Sequence, residues 1–360
     1  MKKVLFITNH SYMFYQTRKE LVLDLLKDYE ITLLTPFNGH EEDFRNYGCK
    51  VIETKLERRG ISPAQERKLY ETYLRILKEE KPDYVITYSI KPNIYGGMAC
   101  QKLGIPYAVN ITGLGTAFQK QGMKQIAGML YKRACRKADV VFFENRSNAR
   151  YFLNRNLIKK DQAVVLPGAG VNTDYYSYQP LEKEDDKFHF LYLGRIMKEK
   201  GVNELFEATE RLKEEYPDTV LDIVGFTEED FEETIQRMVL DGTAVFHGFQ
   251  EDPRPYYKKA DAVVLPSYHE GMSNVLLEGA STGRLLITSD APGCREAVDM
   301  DKTGYLAKIK DPDSLYEAMK KAENLSEEQM KTMSISAREK MVNEFDKQKV
   351  VKLTREACKL

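Results

Sequence analysis

The sequence predicts an α/β protein made of two doubly wound parallel-sheet domains. Three features point there. Brief apolar runs rich in Val, Ile, Tyr and Phe alternate with longer segments of helical apolar spacing. The alternation halts once, in the polar, acidic stretch YYSYQPLEKEDDKF, and restarts with FHFLYLGR. The 360 residues also exceed what one core comfortably holds, and suit two domains of about 150 to 200 residues each.

In the first half, KVLFITN, YEITLLTP, CKVIET, PDYVITYS, PYAVNIT, DVVFFEN and AVVLPG read as strands. Between them, TRKELVLDLLKDY and ERKLYETYLRILKEEKP carry helical spacing, and Pro82 stops the second. Such βαβ repetition implies a parallel sheet covered on both faces. The expected boundaries are a domain over 1–175, a linker at 176–187 and a second domain over 187–345. That second domain takes strands from FHFLYLG, TVLDIVG, TAVFHG, ADAVVLPS, RLLITSD and TGYLAK, with helices from GVNELFEATERLKEEY and SNVLLEGAST. The last residues, 346–360, read as a helix packing back across the linker.

Composition narrows the function classes. Hydrophobic residues at 42% beside 30% charged exclude a disordered chain. Five cysteines without a C-x-x-C pair argue against a disulfide framework and for a reducing, cytoplasmic compartment. The run VLFIT is too short for a signal peptide, and no stretch approaches 18 apolar residues. The net charge of −1 conceals a division: residues 1–175 hold 28 Lys and Arg against 18 Asp and Glu, and the rest 26 against 37. No acid occurs between Tyr84 and Ala138. One domain is therefore expected to meet an anionic surface or substrate, the alternative being an imbalance spread over solvated faces.

Open α/β sheets bind ligands beyond the carboxyl ends of their strands. There the stretch SYHEGMSNVLLEGAS sets Glu270 and Glu278 eight positions apart, around Gly271, Met272, Ser273 and Asn274. Ser273 or Asn274 suits a helix N-cap, and the amides of Ser273 to Val275 with the helix dipole attract a phosphate. Carboxylates repel phosphate, so Glu270 and Glu278 are better used on sugar hydroxyls at either side of a diphosphate. Two glutamates on an ordinary surface helix and its preceding loop are the plain alternative. FLYLGRIMKEKGVNEL adds Gly194, Arg195 directly after a strand, and Lys200 before Gly201. Arg195 supplies a planar fork and Lys200 a point charge, which together offset a departing nucleoside diphosphate.

With these residues together, the sequence resembles the large family 4 of retaining glycosyltransferases, over nearly the whole chain. The matching positions are Gly194, Arg195, Lys200 and Gly201; Glu270, Gly271, Ser273, Asn274, Glu278, Gly279 and Ala280; then DAPGCREAV and TGYLA. The resemblance implies a GT-B architecture of two Rossmann-like domains facing across a cleft. It implies that Arg195 and Lys200 grip the donor diphosphate, that Glu270 approaches the donor sugar and that Glu278 holds the ribose. It implies no metal and no cofactor, with a nucleotide sugar, expected to be UDP-linked, as donor. YSIKPNIYGGMACQKLGIPYAVNITGLGTAF is similar to the branch that builds capsular, exopolysaccharide and protein-linked glycans on polyprenyl-diphosphate carriers. A hexose or N-acetylhexosamine moved to such a lipid-linked glycan is the implied reaction.

Two departures bear on the acceptor side. The turn after the first strand is NHSYMFYQTRKEL rather than glycine-rich, and Asn110, Ile111, Thr112 and Gly113 stand where many members have a histidine. His10, Arg18, Asn110 and Thr112 are the acceptor-side candidates, without an assigned general base; a structural histidine and a surface arginine are equal readings of the first two. GLGTAF lacks the third glycine or alanine of a dinucleotide fingerprint and a timely acid, which excludes a dehydrogenase. In KQGMKQIAGMLYKRACRK, the cations Lys120, Lys124, Lys132, Arg133, Arg136 and Lys137 share a helical pattern with Met123, Ile126, Met129, Leu130 and Tyr131. A basic amphipathic helix of this kind can lie on anionic lipid, so a peripheral position on the inner face of the cell membrane is expected, and no nucleic-acid partner. An internal helix with wet cations is the other reading. A nucleotide-sugar 2-epimerase and a non-catalytic two-lobed sugar-binding protein remain the alternatives from other classes.

Overall fold

The computed structural model describes residues 1–55, 62–114, 121–181 and 185–360. These form two compact units. Met1–Ala169 joins Gln348–Leu360, and Gly170–Lys347 forms the second. Residues 176–181 and 185–187 thus belong to the second unit.

The first unit carries β1 (Lys2–Ile7), β2 (Tyr29–Thr35), β3 (Lys50–Glu53), β4 (Tyr84–Tyr88), β5 (Tyr107–Ile111), β6 (Val140–Phe143) and β7 (Ala163–Val165). They pair in parallel in the order β3-β2-β1-β4-β5-β6-β7. The second unit carries β8 (Phe188–Leu193), β9 (Thr219–Val224), β10 (Ala244–Gly248), β11 (Ala262–Leu265), β12 (Leu285–Ser289) and β13 (Gly304–Ala307), in the parallel order β10-β9-β8-β11-β12-β13. Every run expected to be a strand contains one.

Side chains alternate across a strand, and the first sheet uses both faces. Leu5 and Ile7 enter one apolar cluster with Tyr73, Leu77 and Tyr131, while Val4 and Phe6 enter another with Phe14, Val22 and Leu25. Val350, Val351 and Cys358 from the Lys347–Cys358 helix complete the latter, and Arg355 anchors that helix through Asp24 at 2.8 Å and Asp28 at 2.6 Å. The first helix starts at Ser11, six residues before the periodic segment quoted above, because Ser11, Phe14, Arg18, Leu21 and Leu25 share its buried face. A single larger cluster fills the second unit.

In each sheet the strand order reverses once, between β1 and β4 and between β8 and β11. Loops leaving the two central strands there diverge to opposite faces and open a crevice at the carboxyl edge. The second unit places Gly194–Gly201 after β8 and Pro266–Ser273 after β11, so the topology alone brings the two charged motifs together.

Candidate active site

Arg195 leaves β8 through Gly194, whose φ of 151° avoids side-chain crowding. A Cβ on neighbouring Gly225 would stand 1.8 Å from the Gly194 carbonyl oxygen, so both strand ends need glycine to pass. The Tyr192 hydroxyl donates to the Arg195 carbonyl at 2.6 Å, and Arg195 Nη1 meets Glu228 Oε2 at 2.9 Å. The side chain is 46% exposed, so its fork is fixed in direction yet accessible.

Lys200 ends a short turn capped by Gly201 at φ 72°. A Cβ there would lie 2.2 Å from the Pro266 carbonyl oxygen, which explains why the β8 and β11 loops can touch. The Tyr268 amide donates to the Glu199 carbonyl at 3.0 Å and locks them. Lys200 Nζ then forms an ion pair with Glu270 Oε1, which also accepts from Ser267 Oγ at 2.9 Å. Sixty-nine residues separate the two partners in sequence, and both are largely enclosed.

The Glu270–Ser273 loop is held from outside by Pro292 and Gly293. Their carbonyls accept from the Glu270 amide at 3.0 Å and the Ser273 amide at 2.9 Å. This corrects one expectation, since the Ser273 amide is already satisfied. The Asn274 and Val275 amides, at the first two helical positions of Asn274–Ser281, have no acceptor within the helix. Ser273 is the N-cap, its hydroxyl accepting from the Leu276 amide at 3.4 Å. Asn274 Oδ1 is buried without a partner among the described residues. A buried lone acceptor beside free amides suits a hydroxylated anion, in which hydroxyls donate to Asn274 and phosphate oxygens take the amides.

Glu278 follows one turn later. Gly279 lets this helix lie against the sheet, where a Cβ would come 2.7 Å from Val263 Cγ2. The Tyr257 hydroxyl donates to Glu278 Oε2 at 3.0 Å. Burial pushes the Glu278 carboxyl up to about 7, against the pull of Tyr257, Lys347 and Tyr176. A perturbed carboxylate at a switch-point crevice is the electrostatic mark of a functional site.

The acceptor-side candidates are less uniform. His10 is the half-buried N-cap of Ser11–Leu25, directly beyond β1. Thr112 is half-buried past β5, while Asn110 is 2% exposed and its carbonyl accepts from Asn93 Nδ2 at 2.7 Å. Arg18 is corrected: it is 4% exposed and tied to Glu144 at 2.7 Å beneath the Tyr88 ring, a core ion pair rather than a phosphate contact. Sequence reasoning missed Ser89 at the β1/β4 crevice, which donates to Asn9 Oδ1 at 2.7 Å from a backbone at φ 76°. Serine is rare in that region, and no residue pattern around it signals the conformation. Glu228, the partner of Arg195, lay outside any motif.

Of the membrane candidates, Lys120 lies outside the described residues. Lys124 sits over the Tyr151 ring at 5.2 Å, and Lys132, Arg133, Arg136 and Lys137 are exposed at the end of the Gln121–Cys135 helix. That helix buries Ala127, Tyr131, Ala134 and Cys135 while leaving Ile126 and Met129 exposed. No helix among the described residues is long and apolar enough to cross a membrane.

Two parallel α/β units, the second with paired cations and carboxylates at its crevice, define a GT-B glycosyltransferase. The chain belongs to the glycosyltransferases on both halves: residues 3–145 match the family "Glycosyl transferase 4-like" and residues 177–340 match "Glycosyl transferases group 1". It is 28% identical to an N,N'-diacetylbacillosaminyl-diphospho-undecaprenol α-1,3-N-acetylgalactosaminyltransferase of Campylobacter jejuni, covering 82% of this chain and 83% of that one. It is 26% identical to a UDP-Gal:α-D-GlcNAc-diphosphoundecaprenol α-1,3-galactosyltransferase of Escherichia coli, covering 89% and 86%. In fold it matches the Anabaena Alr3699/HepE protein solved with UDP-glucose, with a TM-score of 0.81 at 17% identity over 99% of both chains.

Proposed function

We propose that this glycosyltransferase moves a hexose or N-acetylhexosamine from a UDP-sugar to a polyprenyl-diphosphate-linked glycan, with retention of configuration and without a metal. The observation that carries the reading is the Lys200–Glu270 pair at the head of the Asn274–Ser281 helix, with Arg195 on the adjoining loop. The two relatives named above, whose names specify diphospho-undecaprenol acceptors, support the acceptor class.

In this reading, Arg195, Lys200 and the Asn274 and Val275 amides receive the diphosphate. As the sugar–phosphate bond breaks, negative charge grows on the leaving oxygen, and prearranged cations and amides stabilise it with no reorganisation cost. These charges fill the role a divalent ion has elsewhere. Glu270, steered by Lys200 and Ser267, meets the donor sugar; Asn274 Oδ1 takes a hydroxyl; Glu278 accepts from the ribose. Gly194, Gly271 and Met272 shape the surrounding loops. His10 and Thr112, with the Asn110 strand end, face the acceptor step, and the basic Gln121–Cys135 helix sets the enzyme on the inner face of the cell membrane.

The test is transfer of radiolabelled sugar from UDP-linked donors to a polyprenyl-diphospho-sugar in the presence of EDTA, with the product anomer read by NMR. Transfer with an unchanged anomeric configuration is expected. Loss of transfer on chelation, restored by a divalent ion, overturns metal independence; donor hydrolysis with no acceptor product overturns the transferase reading.

A further inference from the structure

The first unit holds a groove of about 550 Å³ between the end of the Gln121–Cys135 helix and the turn that precedes β7. Lys132, Arg136, Lys159 and Lys160 form its rim, and Leu153, Leu157 and Ile158 contribute its apolar floor. No carboxylate lines it; Asp161, next in sequence, is exposed and is not among the lining residues. All four cations are exposed, and none forms an ion pair among the described residues. Some lysines and arginines elsewhere, such as Lys50, Lys91, Lys200, Arg254 and Lys340, stand against acids, while others such as Lys102, Arg133 and Arg150 are also without an ion pair among the described residues but do not share this groove. Four like charges gathered without counterions repel one another, and a bound anion relieves that cost.

The two walls of the groove are tied together. Gln162, 7% exposed, donates to the Cys135 carbonyl at 2.8 Å and the Ala138 carbonyl at 2.7 Å, and its Oε1 accepts from the Lys159 amide at 2.9 Å. One side chain thus pins the turn bearing Lys159 and Lys160 to the helix end bearing Lys132 and Arg136. The site lies at the amino ends of β6 and β7, the opposite edge of the sheet from His10 and Ser89, so it is not part of the acceptor crevice.

We propose that this groove binds the phosphate headgroup of an anionic phospholipid. The choice of lipid over a free anion comes from the helix. Ile126 and Met129, 52% and 65% exposed, fall on one helix face with Arg133 at the spacing i, i+3, i+7, and the rim residue Arg136 follows in the turn just past the helix end. An apolar pair leading into a cationic rim matches the boundary between acyl chains and headgroups, while a soluble phosphate has no use for it. The proposal rests on the membrane-surface part of the function proposed above, and is independent of the sugar-transfer part.

Lys159 and Lys160 lie outside the basic helix, which makes them the discriminating test. The full chain and a Lys159→Ala, Lys160→Ala variant are sedimented with vesicles of phosphatidylcholine, with and without phosphatidylglycerol. Each surface cation is worth about fivefold in partitioning, so the variant should lose about 30-fold on the anionic vesicles. Its unfolding midpoint should be no lower than the parent's and its donor turnover unchanged. Binding within about twofold of the parent, while charge reversal at Arg133 and Lys137 releases the protein, overturns the groove and leaves the membrane helix standing. Equal binding to neutral vesicles, or no vesicle binding by any form, overturns both. If inorganic phosphate raises the unfolding midpoint of the parent but not of the variant, and vesicles do not bind, the groove serves a soluble anion and the lipid proposal fails.

Discussion

Replacing Glu278 with Gln is expected to stabilise the second unit and impair donor binding at once. Burial holds the Glu278 carboxyl up at about 7 against an ordinary 4.5. The folded state therefore retains a proton that the unfolded chain has already released between those values, and stability falls as pH rises from about 4.5 to about 7. With about 1.4 kcal/mol per unit of displacement, the ionised carboxylate costs about 3 kcal/mol at pH 8 and nothing near pH 4. Glutamine keeps the shape and an acceptor for the 3.0 Å Tyr257 bond without the charge. In a unit of 178 residues, Gly170–Lys347, the relief should raise the unfolding midpoint by about 5–10 °C at pH 8. The same change removes the carboxylate that would grip the ribose, so KM for the donor should rise about tenfold or more, a loss of charged hydrogen bonding. Calorimetry at pH 5 and pH 8, with donor titration at both, reads the two effects. A stability difference that stays constant from pH 5 to pH 8, or a variant with unaltered donor KM, would refute the reasoning.

Arg195→Ala and Lys200→Ala should each lower kcat by about 10²–10³, since each removes a preset charge from the leaving group; a fully active double variant would dismiss the assignment. Gly293→Ala should cost about 2 kcal/mol or more and weaken UDP-induced thermal stabilisation, because φ is 82° and the new Cβ would meet the Glu270 carbonyl oxygen at 2.5 Å. Asp222→Ala should cost about 3–5 kcal/mol, since Asp222 is 4% exposed and receives His189 Nδ1 at 2.7 Å and His247 Nε2 at 2.6 Å. Burial raises the Asp222 carboxyl, but the two imidazoles outweigh it and hold it below 3.8; burial lowers His189, and Asp222 outweighs that to hold it above 6.5. Carboxylate stabilisation is lost as pH falls through its depressed value, and imidazolium stabilisation as pH rises through its raised one, so urea melts should show the largest deficit between about pH 4 and 6.5.

Most strands were legible because they are brief apolar runs buried on both faces, as β4 with all five residues buried illustrates, while the edge strands β3, β7 and β10 are more exposed. Their order was not, since no local pattern says that β4 pairs with β1 rather than β3. The donor-side residues were legible for a related reason: Arg195, Lys200 and Glu270 sit in the loops that leave β8 and β11, where parallel topology delivers side chains to one edge. What the spacing could not express was pairing. Lys200 found Glu270 and Arg195 found Glu228 through loop contacts that depend on Gly201 and Gly225 having no Cβ. The free amide at Ser273 was misjudged for a similar cause, because its acceptor, Gly293, lies in a different loop.

Arg18 failed for a reason that also clarifies the charge division. A cation two turns into the helix that follows a strand is equally well placed to face a crevice or to dive under the sheet. Only the partner decides, and here it is Glu144, 126 residues away and one of few acids in its region. A buried arginine deprived of that carboxylate would face a desolvation cost of several kcal/mol, so the pair is a structural obligation once the helix has packed. The excess positive charge of the first half is then not drawn from such buried groups. Much of it resides on exposed cations without acids beside them, of which Lys132, Arg136, Lys159 and Lys160 line one groove. If the groove takes an anion as proposed, that rim accounts for part of the imbalance; if it does not, these four are solvated charges screened by water and salt like the rest.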